Sequence, residues 1–218
     1  MTMLRAFITS VAALTLASCG DGSGGTSAQD DGGPATLDEI AIGDVIMGDP
    51  DAPLTLVEYA SITCGACGQF HATVMPVIKE RVDAGDINFI FREFPTAPAE
   101  IATAGFAVAR CAGADDYYDV LDEFYDNQQD FFNAIRSGSA GDMLRDIASE
   151  YGINNAGFRE CTRDRELFSS MMETVRGGEE LGVTHTPTLF LNGAQLGNEA
   201  RTPDGMNAVI DAALAALD

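Results

Sequence analysis

Two cysteines three residues apart, Cys64-Gly65-Ala66-Cys67, sit at the seam between an apolar run and a helical period. That placement constrains the chain more than any other feature. The run before them, residues 54–60 (LTLVEYA), is almost continuously apolar, which is how a strand buried on both faces reads. After them Phe70, Val74, Val77, Ile78 and Val82 recur at helical spacing. The spacing predicts a helix opening at Thr63 or Cys64 and ending near Ala84, kinked where Pro76 cannot supply an N–H. Gly85-Asp86 then turns the chain into residues 87–94 (INFIFREF), a second apolar strand. Strand, helix and strand form a βαβ crossover, so the two strands should be parallel.

The remainder fits around that unit. Residues 41–47 read as a short first strand, and Gly48-Asp49-Pro50-Asp51-Ala52-Pro53 as a turn. Between about 97 and 177 strand signals disappear. Helices are expected over 101–112, 117–132, 142–151, 155–164 and 167–175, with Asp142 as a cap and breaks at Gly113, Ser137-Gly138 and Gly152. Strand signals return in residues 187–192 (PTLFLN) and 195–197, a hairpin about Gly193. A last helix is expected over 203–217, with Pro203 in its first turn. The fold class is therefore α/β, a central mixed sheet flanked by helices and interrupted by an inserted helical subdomain.

A cysteine pair at the start of a helix has a definite chemistry. The helix N-terminus carries about half a positive charge and unpaired N–H groups, which stabilise a thiolate at Cys64. Cys64 should exchange with a partner sulfur, and Cys67, one turn inward, should resolve the mixed disulfide. The same spacing also fits half a zinc site or an inert disulfide. Zinc needs two further ligands; the histidines are His71 and His185, and Cys111 and Cys161 are the other thiols within reach of the argument. A pair that opens the helix of a βαβ unit favours redox work, with no metal and no cofactor. Glu58 lies inside the buried strand, where a carboxylate must find a partner or take up a proton. His71 reads as a surface or packed residue, and His185 as either a loop residue or a neighbour of the reacting thiolate.

The first 18 residues have the pattern of a signal peptide: a weakly basic start, an apolar stretch, then Leu16-Ala17-Ser18-Cys19. That tetrad is similar to the lipobox of bacterial lipoproteins, which makes Cys19 a lipidation candidate; a plain secretory signal is the competing reading. Residues 19–40 are rich in Gly, Ser and Asp and read as a flexible tether, leaving 41–218 as the folded domain. The four cysteines beyond Cys19 are an even number in a chain expected to be exported, which favours disulfides. A net charge of −22, with 12 basic residues against 34 acidic ones, disfavours nucleic acid, whose phosphates need a basic face.

Several motifs together carry a resemblance. The turn 48–53, Val57-Glu58-Tyr59-Ala60-Ser61, Thr63-Cys64-Gly65-Ala66-Cys67 with Phe70-His71, and Gly182-Val183-Thr184-His185-Thr186-Pro187-Thr188 with Phe190 and Asn192-Gly193 resemble the DsbA-like thioredoxin family. The likeness covers most of the chain from Ala41 onward. It implies a thioredoxin fold with a helical insertion, and a cis Thr186–Pro187 bond facing the cysteine pair. It implies a role for Glu58 as proton acceptor and donor for Cys67. Relatives with a second cysteine pair at this place suggest a structural disulfide between Cys111 and Cys161, against the alternative of two buried free thiols. The implied activity is oxidation of cysteine pairs in exported client proteins, by a monomer in the periplasm recycled by a DsbB-like membrane partner. A reductase or isomerase recycled by a DsbD-like donor, or a Cu(I)-binding protein, are the other readings. One departure stands out: the best-known pattern has Pro-His between the cysteines, and this chain has Gly65-Ala66.

Overall fold

The computed structural model describes residues 43–217. The expected signal peptide over 1–18, the tether over 19–40 and the lipidation candidate Cys19 lie outside the described residues. In chain order the elements are β1 (Ile46–Met47), β2 (Leu54–Ala60), α1 (Gly65–Thr73), α2 (Met75–Asp83), β3 (Ile87–Glu93), α3 (Ala99–Ala112), α4 (Tyr117–Asp126) and α5 (Gln128–Ser137). They continue as α6 (Ala140–Glu150), α7 (Asn155–Cys161), α8 (Arg165–Glu180), β4 (Thr188–Leu191), β5 (Ala194–Gln195), a 3-10 turn (Asn198–Arg201) and α9 (Pro203–Ala215). The strands form one mixed sheet in the order β1-β3-β2-β4-β5. β2 and β3 are parallel, as the crossover requires, and β4 runs antiparallel to β2. This is a thioredoxin fold with six helices, α3 to α8, inserted between β3 and β4. None of the described helices is long and apolar enough to cross a membrane.

The alternation of side chains along each strand assigns the two faces of the sheet. Leu54, Leu56 and Ala60 of β2, Ile87, Phe89 and Phe91 of β3, and Leu189 and Leu191 of β4 join the large core with α1, α2, α3, α4 and α9. Val57, Tyr59, Ile90 and Phe190 point the other way and form a smaller cluster with Val183 and Leu181. There α8 approaches closely at Gly178: a Cβ at that position would lie 2.8 Å from Tyr59 Cε1. Burying a side chain such as Leu56 or Phe89 stabilises the fold by about 1.5–3 kcal/mol, and both are fully buried.

The structure differs from the sequence reading in instructive places. The expected kink is a break: α1 stops at Thr73, and Pro76, in the first turn of α2, has no N–H to offer the carbonyl of Ala72. The helix expected over 117–132 is two helices. At the junction Asn127 Nδ2 donates to the Glu123 carbonyl (3.0 Å) and its carboxylate (2.7 Å), so the side chain competes with the backbone. Asp142 is not a cap; it lies in the first turn of α6 and pairs with Arg145, and α6 starts after Ser139. Within the described residues β1 holds only Ile46 and Met47, and α8 continues to Glu180. The hairpin turn is Asn192-Gly193, both at positive φ (45° and 82°), the pattern of a two-residue type I′ turn.

Cys111, in the last turn of α3, is bonded to Cys161, the last residue of α7, with Cα atoms 6.2 Å apart and a sequence separation of 50. In the chain-entropy account, closing a loop of that size stabilises by about 4 kcal/mol, and typical disulfides deliver about 2–4 kcal/mol. The Cys111→Ala/Cys161→Ala double variant should therefore lose about 2–4 kcal/mol in urea unfolding. An unchanged midpoint would show that the bond adds nothing to stability.

Candidate active site

The site begins where β2 ends. Ser61 Oγ bonds Thr63 Oγ1 (3.0 Å) and accepts from the Thr96 N–H (3.1 Å), and Thr63 Oγ1 meets Thr96 Oγ1 at 2.9 Å. These buried hydroxyls tie the loop after β2 to the loop after β3 and hold the entry into α1. Cys64 is the N-cap of α1, in extended conformation (φ −98°, ψ 113°), and its sulfur accepts from the Cys67 N–H at 3.4 Å. A sulfur thus occupies the place an Asp or Ser side chain takes at most helix starts.

The two thiols are in opposite environments. Cys64 is half-buried and Cys67 fully buried. Hydrogen bonding from the Cys67 side chain, opposed by burial and supported by Thr186 and by the Ala66 and Cys67 N–H groups, lowers the Cys64 pKa from an ordinary 9.0 to about 5. Burial, then the hydrogen bond to Cys64, then the charge of Glu58 drive the Cys67 thiol far up. At neutral pH one sulfur is a thiolate at the surface and the other a protonated thiol inside. An asymmetric pair of this kind suits stepwise thiol–disulfide exchange. It suits a closed tetrahedral metal site poorly, because both sulfurs would have to be thiolates.

The cis-proline loop faces this pair. Thr186–Pro187 is cis, and the Thr186 carbonyl lies 3.4 Å from Cys64 Sγ, where it accepts from the thiol when Cys64 is protonated. A second cis bond, Ala97–Pro98, was not anticipated from the sequence. Arg201 Nη2 donates to the Pro187 carbonyl (2.7 Å) and lies 2.9 Å from His185 Nε2. A guanidinium can only donate, so that His185 nitrogen is the acceptor. His185 therefore belongs to the support of the loop.

Beneath the thiols, Glu58 is fully buried and its Oε2 lies 3.0 Å from His71 Nε2. His71 is itself 9 % exposed and stacks on the Tyr125 ring, centroids 3.8 Å apart. Thus Glu58, Cys64, Cys67, Thr186 and Pro187 are gathered at one site, whereas Cys111 and Cys161 are bonded to each other in the insertion.

Two participants are not assigned to the site by the sequence. One is His71, which reads there as a surface or packed residue, although its i, i+4 spacing from Cys67 places both on one face of α1. The other is Gln128, the first residue of α5, whose Nε2 donates to the carbonyls of Ile62 and Cys64, both at 3.0 Å. The break at Asn127 is what brings it there. Gly68 makes room: a Cβ at that position would stand 1.9 Å from Gln128 Oε1 and 2.6 Å from its Cδ. Gly68→Ala should expel this amide, deprive the buried Ile62 carbonyl of it while the Cys64 carbonyl keeps the backbone N–H of residue 68, and cost about 1–3 kcal/mol, against about 1 kcal/mol gained from the helical preference of alanine. Urea unfolding of Gly68→Ala beside Gln128→Ala checks this; a Gly68→Ala protein more stable than wild type would contradict it.

Comparisons with known proteins agree with this geometry. The family model described as Thioredoxin matches residues 41–212. A Rickettsia bellii protein provisionally named a protein-disulfide oxidoreductase is 26 % identical over 176 residues, 78 % of this chain and 64 % of its own length. The chain thus spans somewhat less than two thirds of that relative. Disulfide bond formation protein D of Bacillus subtilis is 25 % identical over 163 residues, 72 % of each chain. Among solved structures, alpha-DsbA1 of Wolbachia pipientis superposes with a TM-score of 0.70 at 26 % identity, covering 80 % of this chain and 92 % of its own.

Proposed function

Because the chain belongs to the thioredoxin family, we propose that it is a protein thiol–disulfide oxidoreductase that oxidises cysteine pairs in exported proteins. The observation that carries this reading is the asymmetry of the two thiols, with Cys64 lowered to about 5 and Cys67 buried and raised. In the oxidised enzyme a client thiolate attacks Cys64 Sγ, the Cys64–Cys67 bond breaks, and Cys67 leaves and takes up a proton. A second client thiolate then attacks the client sulfur of the mixed disulfide, and Cys64 departs as a stable thiolate. Two electrons pass from client to enzyme, and a membrane redox partner restores the disulfide. The Thr186–Pro187 loop supports the client backbone as an added strand would, its Thr186 carbonyl directed at Cys64.

A stabilised thiolate favours the reduced enzyme and so makes the disulfide oxidising. The value near 5 lies between roughly 7 for thioredoxin and roughly 3.5 for DsbA. The expected potential accordingly lies between about −270 and −120 mV. Gly65 and Ala66 place no imidazolium beside Cys64. Equilibration with a glutathione series tests this, with a Gly65→Pro/Ala66→His variant expected to be more oxidising. A thioredoxin-like potential with fast insulin reduction would replace the oxidase reading with a reductase.

Export rests on the N-terminal pattern and on the Cys111–Cys161 bond, a feature of oxidising compartments. A lipid on Cys19 would hold the enzyme beside a membrane redox partner and raise its effective concentration there. Cys19→Ser should then move the protein from the detergent phase to the aqueous phase; a wild type without a lipid mass would end this part of the proposal.

A further inference from the structure

Four buried side-chain polar atoms among the described residues have no hydrogen-bond partner, and three of them lie in one place: Glu58 Oε1, His71 Nδ1 and the Tyr125 hydroxyl. Such atoms are costly to bury, and a native structure keeps few of them. The three lie together beside α1, the helix that carries the resolving thiol. Cys67 and His71 are one helical turn apart on the same face of α1, the Glu58 charge acts on Cys67, and Cys67 and Glu58 both act on Tyr125. Glu58 has no exposure of its own, whereas the bonded His71 reaches the edge of the core at 9 %.

We propose that His71 is the proton outlet of the buried half of the redox centre, passing protons between Glu58 and solvent through a small movement of its ring, so that Cys67 can be protonated and deprotonated without unfolding the core. This rests on the oxidoreductase reading and deepens it. When a thiolate attacks Cys64, the Cys64–Cys67 bond breaks and the Cys67 sulfur receives the electron pair. His71 Nε2–H passes a proton to the Glu58 carboxylate, which hands it on to that sulfur. Nδ1, buried in the resting structure, takes a replacement from water when the ring moves at the edge of the core. Reoxidation reverses each transfer, so no net proton is stored. The imidazole has two nitrogens and can take a proton at one while releasing it at the other. Its stack on Tyr125 holds the ring edge-on to the carboxylate, and Phe91 closes a further side at 6.1 Å. The titratable groups facing it are Glu58 from β2, Tyr125 from α4 and Cys67 from its own helix. His71 works through Glu58 and is a positioning residue rather than one that touches the client.

The test is the rate at which reduced glutathione opens the Cys64–Cys67 disulfide between pH 5 and 9, read by quenched alkylation and mass. His71→Asn keeps a donor that cannot relay a proton, and His71→Phe keeps the stack. Both should slow opening about tenfold at pH 7, a modest share of what proton transfer by a side chain contributes, and flatten the pH profile. Alkylation of Cys64 in the reduced protein should stay within twofold of wild type. Glu58→Gln should slow opening similarly, and Glu58→Gln/His71→Asn no further. Unchanged rates, an undistorted pH profile or fully additive losses would each overturn the proposal, as would slowing accounted for by lost thermal stability. A wild-type disulfide that glutathione does not open at all would instead overturn the oxidoreductase reading beneath it.

Discussion

Cys64→Ser should abolish exchange with clients, a loss of at least about a thousandfold for the removal of a nucleophile, while Cys67→Ser should accumulate client bound through Cys64. The difference follows from position. Cys64 stands at the helix start with its sulfur half-exposed beside the Thr186 carbonyl, and Cys67 has no exposed surface. With Cys67 replaced, the mixed disulfide forms and nothing inside the protein can resolve it. Non-reducing gels of each variant incubated with an unfolded secreted protein that keeps a disulfide supply the measurement: the Cys64 thiolate attacks that bond, one client sulfur joins Cys64 and the other leaves as a thiolate. Equal trapping by both variants would remove Cys64 from its role.

Arg110→Met should destabilise the fold by about 3–5 kcal/mol, because it strands a buried carboxylate. Glu93, the last residue of β3, is 1 % exposed. Its Oε1 accepts from Arg110 Nε (2.5 Å) and the Tyr117 hydroxyl (2.7 Å), and its Oε2 from Arg110 Nη2 (2.8 Å). Burial, the largest single influence, works against the Arg110 charge; the hydrogen bonds and charge of Glu93, with Tyr117 and Asp44, together more than offset it and raise the guanidinium pKa. Arg110 belongs to α3 and Tyr117 to α4, so this carboxylate fastens the helical insertion to the sheet. The paired change Arg110→Met/Glu93→Leu should recover most of the loss, since an apolar replacement of both partners removes the stranded charge. Urea unfolding measures both. A single variant within about 1 kcal/mol of wild type would show that Glu93 is satisfied without Arg110.

The parts legible in the sequence are those set by local pattern. The run LTLVEYA has the composition of a two-sided buried strand and becomes β2 over those residues. The break between periodic segments places Cys64 at a helix start, and Asn192-Gly193 announces its turn. The parts that stay hidden depend on contacts distant in sequence. Nothing near Gln128 indicates that its amide reaches the carbonyl of Cys64, 64 residues earlier. Nor does local pattern distinguish a helix of sixteen residues from two helices split at Asn127, because the apolar period continues across the junction. His71 is a middle case. Its spacing from Cys67 puts it on the inner face of α1, and buried Glu58 requires a partner, but joining the two requires the register between helix and strand.

The central claim is that the start of α1 makes Cys64 a thiolate at neutral pH. Its most direct test is the rate of alkylation of Cys64 in the reduced protein between pH 3 and 9, located by peptide mass. The depressed pKa means the reduced state draws stability from this thiolate in full above the ordinary value of 9.0 and loses it as pH falls through about 5. Reactivity should therefore hold nearly constant down to pH 6 and decline with a midpoint near 5, while Cys67 stays unlabelled. A midpoint near that of an unperturbed thiol, about 8.5, or equal labelling of both cysteines, would contradict the account.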